Sequence, residues 1–502
     1  MKNTVRIIFF AGILAGAIFL FRDYLEWDIF GTISVLLSLS VVFISLVIFL
    51  ENRHPTQTIT WLVVLGSLPL LGFIFYILFG RNYKKERMYR KKYLLDKQAY
   101  LTVEGEPLPN PKTPPEFVGQ QHRLVSLAQK LGNSPISFTT ETKTLTNGEE
   151  TFGNILRELK KAKHHIHLEY YIIRDDGIGK EIKSVLANKA REGVKVRVLF
   201  DDVGSWKLSR KYINDLKNAG VEIVPFGPVK LPFLSSKFNF RNHRKIIVID
   251  GVVGFVGGLN IGDEYLGRIK KIGFWRDTHL MLKGEAVRSL QVIFAQDWYY
   301  MTNHSLLTEE YLPQGKGSRF QGGVHLIAGG PDNEYTTIKN MLFSMITAAE
   351  KSVWIASPYF IPDEDIFSAL KIAALSGIDV RILMPNKPDK WIVFHASRSY
   401  FPDMLEAGVK IYEYTRGFMH SKIVIVDGEL ASIGTSNMDM RSFHLNFEVN
   451  AFLYRTDSTR KLVADYGKDL KDSKRLELET FNKRHFGYRL LESTSRLLSP
   501  LL

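Results

Sequence analysis

The amino-acid sequence predicts an α/β protein in which two similar halves pack face to face behind an N-terminal helical transmembrane segment. Three observations lead to this prediction. From about residue 120 onward, short β-branched runs typical of strands alternate with segments of helical periodicity. Several of these segments occur twice along the chain at a near-constant offset. Closer to the N-terminus, two uncharged runs each have the length of a bilayer span.

Positions 1–80 are predicted to form the membrane region. The runs Ile29–Leu50 and Thr58–Phe79 carry no charged side chain, and a transmembrane helix needs about 20 apolar residues. The shorter run Val5–Phe21, with Arg6 near its start, is interpreted as a third span, an interfacial helix or an uncleaved signal-like segment. Two buried core helices are the alternative for the long runs. We disfavour that alternative because neither of these adjacent runs contains a charge.

A basic stretch follows the membrane region. Positions 81–97 contain eight Lys or Arg against two acidic side chains. The positive-inside rule therefore places this stretch, and everything after it, in the cytoplasm. Positions 104–118 hold five of the 19 prolines, which is typical of a linker. We therefore predict a transmembrane region at 1–80, a basic and Pro-rich linker at 81–120, a first half at 121–310 and a second half at 311–502.

Composition indicates which kinds of molecule the protein can bind and which kinds of chemistry it lacks. The formal net charge is +14, which indicates an anionic partner, either nucleic acid or an anionic lipid surface. The chain contains no cysteine, which excludes a disulfide framework and thiolate catalysis.

The internal repeat is the evidence for two similar halves. Three segment pairs match at nearly the same offset: His165–Ile173 with Val353–Ile361, Gly193–Leu199 with Gly377–Leu383, and Gly220–Phe226 with Gly408–Tyr414. The histidines that open the two motifs described next are separated by a similar length of chain. A near-constant offset over four landmarks indicates a duplication.

One motif occurs in each half. Residues His243–Asn260 and His420–Asn437 share the spacing H-x-K-x4-D-x6-G-[GT]-x-N. A single H-x-K at the start of a strand is usually a surface pair. Five positions that match twice at the same spacing favour a pair of catalytic sites instead.

The residues of the motif suit phosphate chemistry. Lys245 begins a β-branched run that we interpret as a buried strand, so His243 and Lys245, two positions apart, share one face. The ammonium is a point charge for phosphate oxygens, and the imidazole can act as nucleophile or general acid. Asp250 lies at an odd offset from Lys245 and is interpreted as a structural charge near the strand end. The Gly pair permits a turn that returns Asn260 to the phosphate as a neutral donor. The second copy supplies His420, Lys422, Asp427 and Asn437.

The doubled motif resembles the phospholipase D superfamily, and the resemblance covers roughly residues 130–500. The flanking sequence and the membrane segment resemble those of bacterial cardiolipin synthases. The resemblance implies two phospholipase D-like halves about a pseudo-twofold axis, with both histidines meeting one phosphate and no metal or other cofactor. It implies a catalytic set made of the motif residues His243, Lys245, Asp250, His420, Lys422 and Asp427, with Asn260 and Asn437 binding the substrate phosphate.

The resemblance also implies an activity. It is a reversible phosphatidyl transfer between two phosphatidylglycerol molecules, which gives cardiolipin and glycerol through a covalent phosphohistidine. The expected partners are phosphatidylglycerol and anionic membrane lipids, with no nucleic acid, and the expected location is the plasma membrane. We assign the nucleophile to His243 and the acid/base to His420, although the two halves are alike and the sequence does not decide between them. The sequence also leaves the oligomeric state open.

Two carboxylates are candidates for supporting roles. Asp277 and Glu448 follow the two motif histidines at similar distances along the chain. We expect each to hydrogen-bond the far nitrogen of an imidazole, which fixes the tautomer and raises the basicity. The alternative is an ordinary surface or packing carboxylate.

Several other residues have two interpretations. His165, His167 and Glu169 alternate along one strand and imitate a metal site, but their repeat partners are not ligands, so strand packing is favoured. The apolar and basic segment 229–240 is interpreted either as a lipid-interface loop or as a buried cleft wall. Trp275 is assigned to the core. A loop is expected to line the other side of the cleft with Trp391, His395 and Tyr400.

Other activities stay open on these residues. The same site can hydrolyse a phospholipid with water, or transfer the phosphatidyl group to another alcohol. A membrane-tethered nuclease is a further alternative, disfavoured because no convincing basic stripe with interleaved aromatic residues is present. A catalytically inactive scaffold is disfavoured because both motifs are intact.

Overall fold

The structure is a computed structural model of the 502-residue chain. It describes most positions between 38 and 49, then 55–67, 72, 76, 92, 120–132, 134–229, 236–313, 322–333 and 335–499. Val5–Phe21, much of the two long apolar runs, nearly all of the basic stretch, the Pro-rich linker and residues 230–235 lie outside the described residues. Among the helices it describes, none has the length and apolar character needed to cross a membrane.

The chain divides into two compact units. The first comprises residues 1–85 and 230–239, and the second comprises 86–229 and 240–502. In the first unit, the described positions between 38 and 49 are helical, and helix α1 (Pro55–Ser67) begins with a proline, whose missing N–H is no loss at a helix start. Ile48, Leu65 and Tyr76 are buried against one another.

The second unit contains both halves of the repeat. The strands of its first half are β1 (Thr140–Thr146), β2 (His165–Tyr170), β3 (Lys195–Asp201), β4 (Glu222–Phe226), β5 (Lys245–Ile249), β6 (Val253–Gly257), β7 (Trp275–Arg276) and β8 (Thr278–Gly284). All but β7 join one sheet in the order β1-β8-β6-β5-β2-β3-β4. β2, β3 and β4 run parallel, whereas the other pairs in this sheet are antiparallel.

The second half repeats this topology. Its strands are β9 (Gly323–Gly329), β10 (Ser352–Ala356), β11 (Phe360–Ile361), β12 (Asp379–Pro385), β13 (Lys410–Tyr414), β14 (Phe418–Met419), β15 (Ile423–Val426), β16 (Leu430–Gly434), β17 (Met438–Asp439), β18 (Glu448–Tyr454) and β19 (Ser473–Arg475). The large sheet has the order β19-β13-β12-β10-β15-β16-β18-β9. From β13 onward, it matches the first sheet from β4 onward, strand for strand. The predicted α/β class with two similar halves is confirmed.

Helices connect the parallel strands and cover the sheets. They are α2 (Gln120–Gly132), α3 (Asn147–Lys161), α4 (Gly177–Arg191), α5 (Arg210–Asn218), α6 (Ala286–Thr302), α7 (Thr337–Thr347), α8 (Glu364–Leu375), α9 (Trp391–Arg398), α10 (Phe401–Glu406), α11 (Met440–His444), α12 (Asp457–Lys471), α13 (Leu478–Asn482) and α14 (Phe486–Leu497). Several begin at a side chain that accepts a backbone N–H of the first turn, for example Asp176 before α4 and Asp363 before α8.

The two sheets pack face to face through β-branched side chains. Ile246 and Val248 of β5 share one buried cluster with Ile423 and Ile425 of β15. Alternate residues of each strand point to opposite faces, so the same strands also contribute to the outer core of their own half. Helix α2 lies at the start of the range predicted for the first half, yet its apolar face packs into the core of the second.

Candidate active site

Each motif places its histidine just before a central strand. His243 lies two positions before β5 begins, and His420 lies three positions before β15. The lysine of each motif turns back toward its own histidine. Lys245 Nζ donates to the His243 carbonyl at 2.5 Å, and Lys422 Nζ donates to the His420 carbonyl at 2.6 Å. The histidine and lysine of each motif therefore lie together, as the spacing predicts.

Short parallel pairings tie the two halves together at the histidines. Strand β14, directly before His420, pairs with β7 of the first half. The backbone N–H of His420 donates to the Arg276 carbonyl at 2.7 Å. In the same way, the N–H of His243 donates to the Phe447 carbonyl of the second half at 2.9 Å. Each histidine is thus fixed to the segment of the opposite half that leads into a carboxylate.

The carboxylates cross over between the halves. His243 Nδ1 lies 2.9 Å from both oxygens of Glu448, and His420 Nδ1 lies 2.6 Å from Asp277 Oδ2. The structure therefore places both predicted carboxylates at an imidazole, each at the histidine of the other half. A carboxylate on Nδ1 favours the tautomer with its proton there, which leaves Nε2 as the reacting nitrogen.

Burial dominates the charge states of this cluster. Burial lowers the pKa of His420 to about 4 and that of Lys422 to about 8. Burial, together with the charges of Lys245 and Lys422, holds the pKa of His243 well below its usual value. Both imidazoles are therefore neutral at physiological pH in the free enzyme. An anionic phosphate in the cleft opposes these effects by offsetting the lysine charges.

The two carboxylates differ in proton affinity. Burial raises the pKa of Glu448 to about 7, against the charge of Lys245. Burial also acts on Asp277, but the charges of Lys422 and His420 outweigh it and hold the pKa of Asp277 below its ordinary value.

Local hydrogen bonds add to the effects of burial and of the neighbouring charges on the two carboxylates. Asp277 Oδ1 accepts the backbone N–H of Thr278 at 2.8 Å, and the indole of Trp275 donates to Oδ2 at 3.3 Å. At the matching place in the second half, the backbone N–H of Val449 donates instead to the Thr435 hydroxyl, at 2.9 Å. Glu448 is left with side-chain donors, among them Asn446 Nδ2 at 3.1 Å. A backbone N–H that donates to a carboxylate stabilises its ionised form.

The one defined position at which the motifs differ lies beside the two carboxylates. Gly258 and Thr435 follow equivalent strand ends, because Gly257 pairs with His279 in β8 and Gly434 pairs with Asn450 in β18. A Cβ on Gly258 would overlap the Asp277 carboxylate. Glycine therefore lets the short aspartate reach the amide, whereas the threonine hydroxyl occupies that amide beside the longer glutamate.

The two asparagines are held in the scaffold near the histidines. Asn260 Oδ1 accepts the N–H of Ile172 at 3.1 Å, and Asn260 Nδ2 donates to the Tyr265 hydroxyl at 3.1 Å. Ile172 is next to Tyr171, whose ring centroid lies 5.0 Å from that of His243. Asn437 is buried, and its backbone N–H donates to Ser442. Phosphate binding by these amides stays a prediction.

The motif aspartates do not belong to the catalytic cluster, which corrects their inclusion in the catalytic set. Asp250 lies at the far end of β5 from His243, roughly 20 Å along an extended strand. Its carboxylate accepts the backbone N–H groups of residues 163, 164 and 165, and that of Asp427 accepts those of 350, 351 and 352. Both aspartates have positive φ in an Asp-Gly hairpin turn. They fix the start of a neighbouring strand.

A buried arginine supports each histidine–carboxylate pair. Arg244 Nε donates to the Glu448 carbonyl at 3.1 Å, and its guanidinium pairs with Asp297 of α6. Arg276 donates to the Asp277 carbonyl at 2.6 Å and to Asp469 of α12 at 2.8 Å. The two arginines come from different positions in the repeat, one after a motif histidine and one before a carboxylate.

Sequence reasoning missed these arginines and two aromatic neighbours. Trp275 is buried, as predicted, but its ring centroid also lies 4.8 Å from that of His420. Tyr171 packs against His243, and Tyr359 is the equivalent residue in the second copy of the repeat. A tyrosine at the same position of both copies is the sequence feature that could have identified Tyr171 as a residue of the site.

The three alternating residues that resemble a metal site, His165, His167 and Glu169, each contact a different side chain. His165 lies beside His164, His167 Nδ1 lies 2.9 Å from Gln291, and Glu169 accepts from Asn242 at 2.5 Å. No group of three potential ligands with metal-site geometry occurs in the described part of the chain. These contacts agree with the packing interpretation.

The residues expected in a second-half loop lie elsewhere. Trp391 and His395 belong to helix α9, and Tyr400 is buried between α9 and α10. The expectation of a loop was wrong because no Gly or Pro interrupts the chain between Trp391 and Tyr400, so a helix can form there. Of the three side chains, Trp391 alone is exposed.

Comparisons with known proteins identify the family and the fold of the chain. The family described as "Cardiolipin synthase, PLD-like domain" matches residues 155–298 and 342–470, and "Phospholipase_D-nuclease N-terminal" matches 38–81. A cardiolipin synthase of Geobacillus sp. is 63% identical over the full length of both chains, and one of Alkalihalophilus pseudofirmus is 60% identical, also over both full lengths. A crystal structure of phosphatidylserine synthase from Haemophilus influenzae covers 75% of this chain and 99% of its own, with a TM-score of 0.58 and 16% identity. The last similarity concerns the fold alone.

Proposed function

The chain belongs to the cardiolipin synthase family of phospholipase D-like enzymes, and we propose that it transfers a phosphatidyl group between two phosphatidylglycerol molecules. The products are cardiolipin and glycerol. Family membership makes it a membrane-associated enzyme that acts on phospholipids. The basic stretch at 81–97 supports a plasma-membrane location with the catalytic unit on the cytoplasmic side.

One observation carries the proposed mechanism. Two imidazoles, each held at Nδ1 by a carboxylate of the other half, belong to one cluster with two lysines. A two-step transfer at phosphorus needs one nitrogen to bond the phosphorus and another to move a proton. The lysines and the asparagine amides Asn260 and Asn437 supply fixed donors for the charge that develops on the phosphate oxygens.

In the first step His243 Nε2 attacks the phosphorus of one phosphatidylglycerol. His420 carries a proton once the anionic substrate is bound, because the phosphate offsets the lysine charges. The phosphorus–oxygen bond to glycerol breaks, and His420 gives its proton to the leaving oxygen. A phosphatidyl group is then bound to His243, and His420 is neutral.

In the second step the free glycerol hydroxyl of another phosphatidylglycerol enters. His420 takes its proton, the alkoxide oxygen bonds the phosphorus, and the bond from phosphorus to His243 breaks. The proton balance closes because His420 ends the transfer protonated, as it began. The same steps run in reverse when glycerol is abundant.

The surroundings of the two histidines support this division of roles. The acid must carry a proton when the phosphate is bound, and the ionised Asp277 stabilises the imidazolium of His420. The nucleophile must be neutral, and the pKa of His243 is held well below its usual value by burial and by two lysines.

The test is a product assay on the purified, detergent-solubilised full chain with labelled phosphatidylglycerol. Wild type is expected to form cardiolipin and one glycerol per turnover, whereas His243→Ala and His420→Ala form neither. His304→Ala, at an exposed histidine outside the cluster, is the matched control and retains activity. Phosphatidate as the only product would replace transfer by hydrolysis, and cleavage of an oligonucleotide without any lipid product would favour a nuclease.

A further inference from the structure

The C-terminal helix α14 presents its apolar side chains outward. Phe486, Leu490 and Leu497 are 72%, 57% and 76% exposed. Their spacing of four and seven positions places them on one stripe of the helix. The face toward the protein is polar instead, with Glu492 and Ser495 buried. This arrangement inverts the usual pattern of a surface helix, in which the apolar stripe faces the core.

Buried polar contacts fix the helix in this orientation. Glu492 pairs with Arg484 at 2.7 Å and lies 3.6 Å from Arg398 of α9. Arg496 lies over the ring of Tyr400 at 4.4 Å. Turning α14 to bury its apolar stripe would remove the Glu492 carboxylate from the largely buried guanidinium groups of Arg484 and Arg398, which is costly for those charges. The outward stripe is therefore part of the folded state.

A tryptophan extends the apolar surface toward the cleft. Trp391, at the start of α9, is 56% exposed, and its ring centroid lies 4.8 Å from that of His395. The His395 ring in turn stacks with Tyr488 of α14 at 6.3 Å. Trp391 and the stripe on α14 thus belong to one surface. Lys387 and Lys390 are exposed beside it.

The first half carries the same feature. Trp206 follows β3 by five positions, as Trp391 follows β12 by six, and β3 and β12 hold the same place in the two sheets. Trp206 is 75% exposed, and Lys207 Nζ lies 5.7 Å from the centroid of its ring. Each half therefore presents an exposed Trp next to a Lys after an equivalent strand.

The chain segments just before the two tryptophans, each a loop, adjoin the histidines. In the first half, Ser205 donates to the Tyr171 carbonyl at 3.0 Å, and the Tyr171 ring contacts His243. In the second half, Asp389 accepts from the Tyr359 hydroxyl at 2.5 Å, and its charge acts on His420. The loops consequently form the rim of the cleft that contains both imidazoles.

We propose that Trp206, Trp391 and the apolar stripe of α14 form a surface that docks on an anionic lipid bilayer and places the mouth of the cleft at the headgroups. This inference rests on the proposed function, in which both substrates are anionic bilayer lipids. Indole rings favour the bilayer interface, and an amphipathic helix lies in it with its apolar face inward.

Charge decides between a bilayer and a second copy of the chain. The basic residues Lys207, Lys387, Lys390 and Arg489 are exposed around the aromatic and aliphatic groups. An anionic bilayer complements these charges. Two copies meeting through this surface would bring like charges together, which opposes association.

The test uses the full chain reconstituted in phosphatidylglycerol-containing vesicles. The protein has no cysteine, so single cysteines introduced as Trp206→Cys and Leu490→Cys can carry an environment-sensitive fluorophore. Leu375→Cys is the matched control. Leu375 is 70% exposed, but it ends α8 shortly before β12 begins, so it lies at the opposite end of that strand from Trp391.

The expected result is quenching of the labels at 206 and 490 by spin-labelled lipid, with the label at 375 quenched only by an aqueous reagent. Aqueous quenching at 206 and 490 equal to that at 375 overturns the proposal. Lipid-independent proximity of two labels at 490 between protomers assigns the stripe to a second copy and also overturns it. The depth of the labels in the bilayer is measured without any reaction product. If the labels are immersed in lipid but no cardiolipin forms, the proposed function fails while the docking surface stands.

A functional comparison supplies the second readout. Combined Phe486→Ser, Leu490→Ser and Leu497→Ser should lower turnover on vesicles about tenfold while turnover of a short-chain, monomerically dispersed phosphatidylglycerol stays within about twofold. The retained turnover shows that the variant is folded. Leu375→Ser should match wild type on both substrates. Equal losses on vesicles and on the dispersed substrate would contradict docking.

Discussion

His243 with Glu448 and His420 with Asp277 hold equivalent places in the two sheets, yet their surroundings differ. Asp277 receives a backbone N–H and an indole N–H and stays ionised. Burial raises the pKa of Glu448 to about 7, and the equivalent backbone N–H, that of Val449, donates to a threonine hydroxyl instead of to this carboxylate. The two halves thus contain similar histidine–carboxylate pairs whose carboxylates differ in proton affinity.

This difference suits the two steps of the transfer. A nucleophile and an acid/base need opposite charge states when the reaction begins, and unequal surroundings favour one assignment of these states to the two histidines. The pair around His420 stabilises a proton on the imidazole better than the pair around His243. Four predictions test this comparison, in order of decreasing effect.

Removing each histidine should separate the two roles. His243→Ala and His420→Ala should each lower phosphatidyl transfer about 1,000-fold or more, because each step needs both groups. A phosphatidyl ester with a p-nitrophenol leaving group needs no general acid. With it, His420→Ala should still release a burst of one nitrophenol per enzyme, and His243→Ala should release none. A burst from His243→Ala instead would exchange the two roles.

Neutral replacements of the carboxylates should have unequal effects. Asp277→Asn should lower kcat about 100-fold or more, because it removes the negative charge that stabilises the His420 imidazolium. Glu448→Gln should lower kcat by a factor roughly tenfold smaller than Asp277→Asn does, since Glu448 is partly protonated near neutral pH. Steady-state turnover on mixed micelles measures both, with thermal unfolding as the folding control. Equal losses would show that the two pairs are electrostatically alike.

Substitutions beside the carboxylates should follow the same order. Gly258→Ala should lower turnover about 50-fold, because the new Cβ displaces Asp277 from the Thr278 amide and from His420. Thr435→Ala should lower turnover less than about fivefold, since the Thr435 hydroxyl accepts the Val449 N–H and is only one of the side-chain donors to Glu448. A larger loss from Thr435→Ala than from Gly258→Ala would contradict the explanation given for the two pKa values.

The smallest effect is on stability against pH. The folded pKa of Glu448, about 7, exceeds its ordinary value of 4.5, so the native state binds the proton more tightly than the unfolded state. Its favourable contribution is complete below pH 4.5 and is lost as the pH rises to about 7, by up to about 3 kcal/mol. The unfolding temperature of Glu448→Gln should therefore rise relative to wild type across this window.

Asp277→Asn is the control for that measurement. The folded pKa of Asp277 is lowered, so its contribution is present above its ordinary value of 3.8 and is lost only as the pH falls below it. Its difference from wild type should be constant between pH 5 and pH 8. A constant difference for Glu448→Gln over the same range would show that the folded pKa of Glu448 is not raised.

Much of the candidate site was predictable because it is local. The H-x-K spacing places His243 and Lys245 together whatever surrounds them, and its second occurrence marks His420 and Lys422. Asp277 and Glu448 were identifiable as acidic residues after each motif, but not their partners. The odd offset of Asp250 from Lys245 predicted a structural charge, and its backbone contacts agree, whereas the family resemblance had placed it in the catalytic set.

The sequence by itself determined the duplicated α/β architecture, the motif residues and the family resemblance, because strand periodicity and residue spacing act over short stretches of chain. Only the tertiary structure decided that each carboxylate serves the histidine of the opposite half, across 205 and 143 residues of sequence. It also decided which carboxylate reaches a backbone amide and which face of α14 turns outward. These outcomes depend on which surfaces meet when the two halves pack, and the spacing of residues along the chain does not determine those contacts.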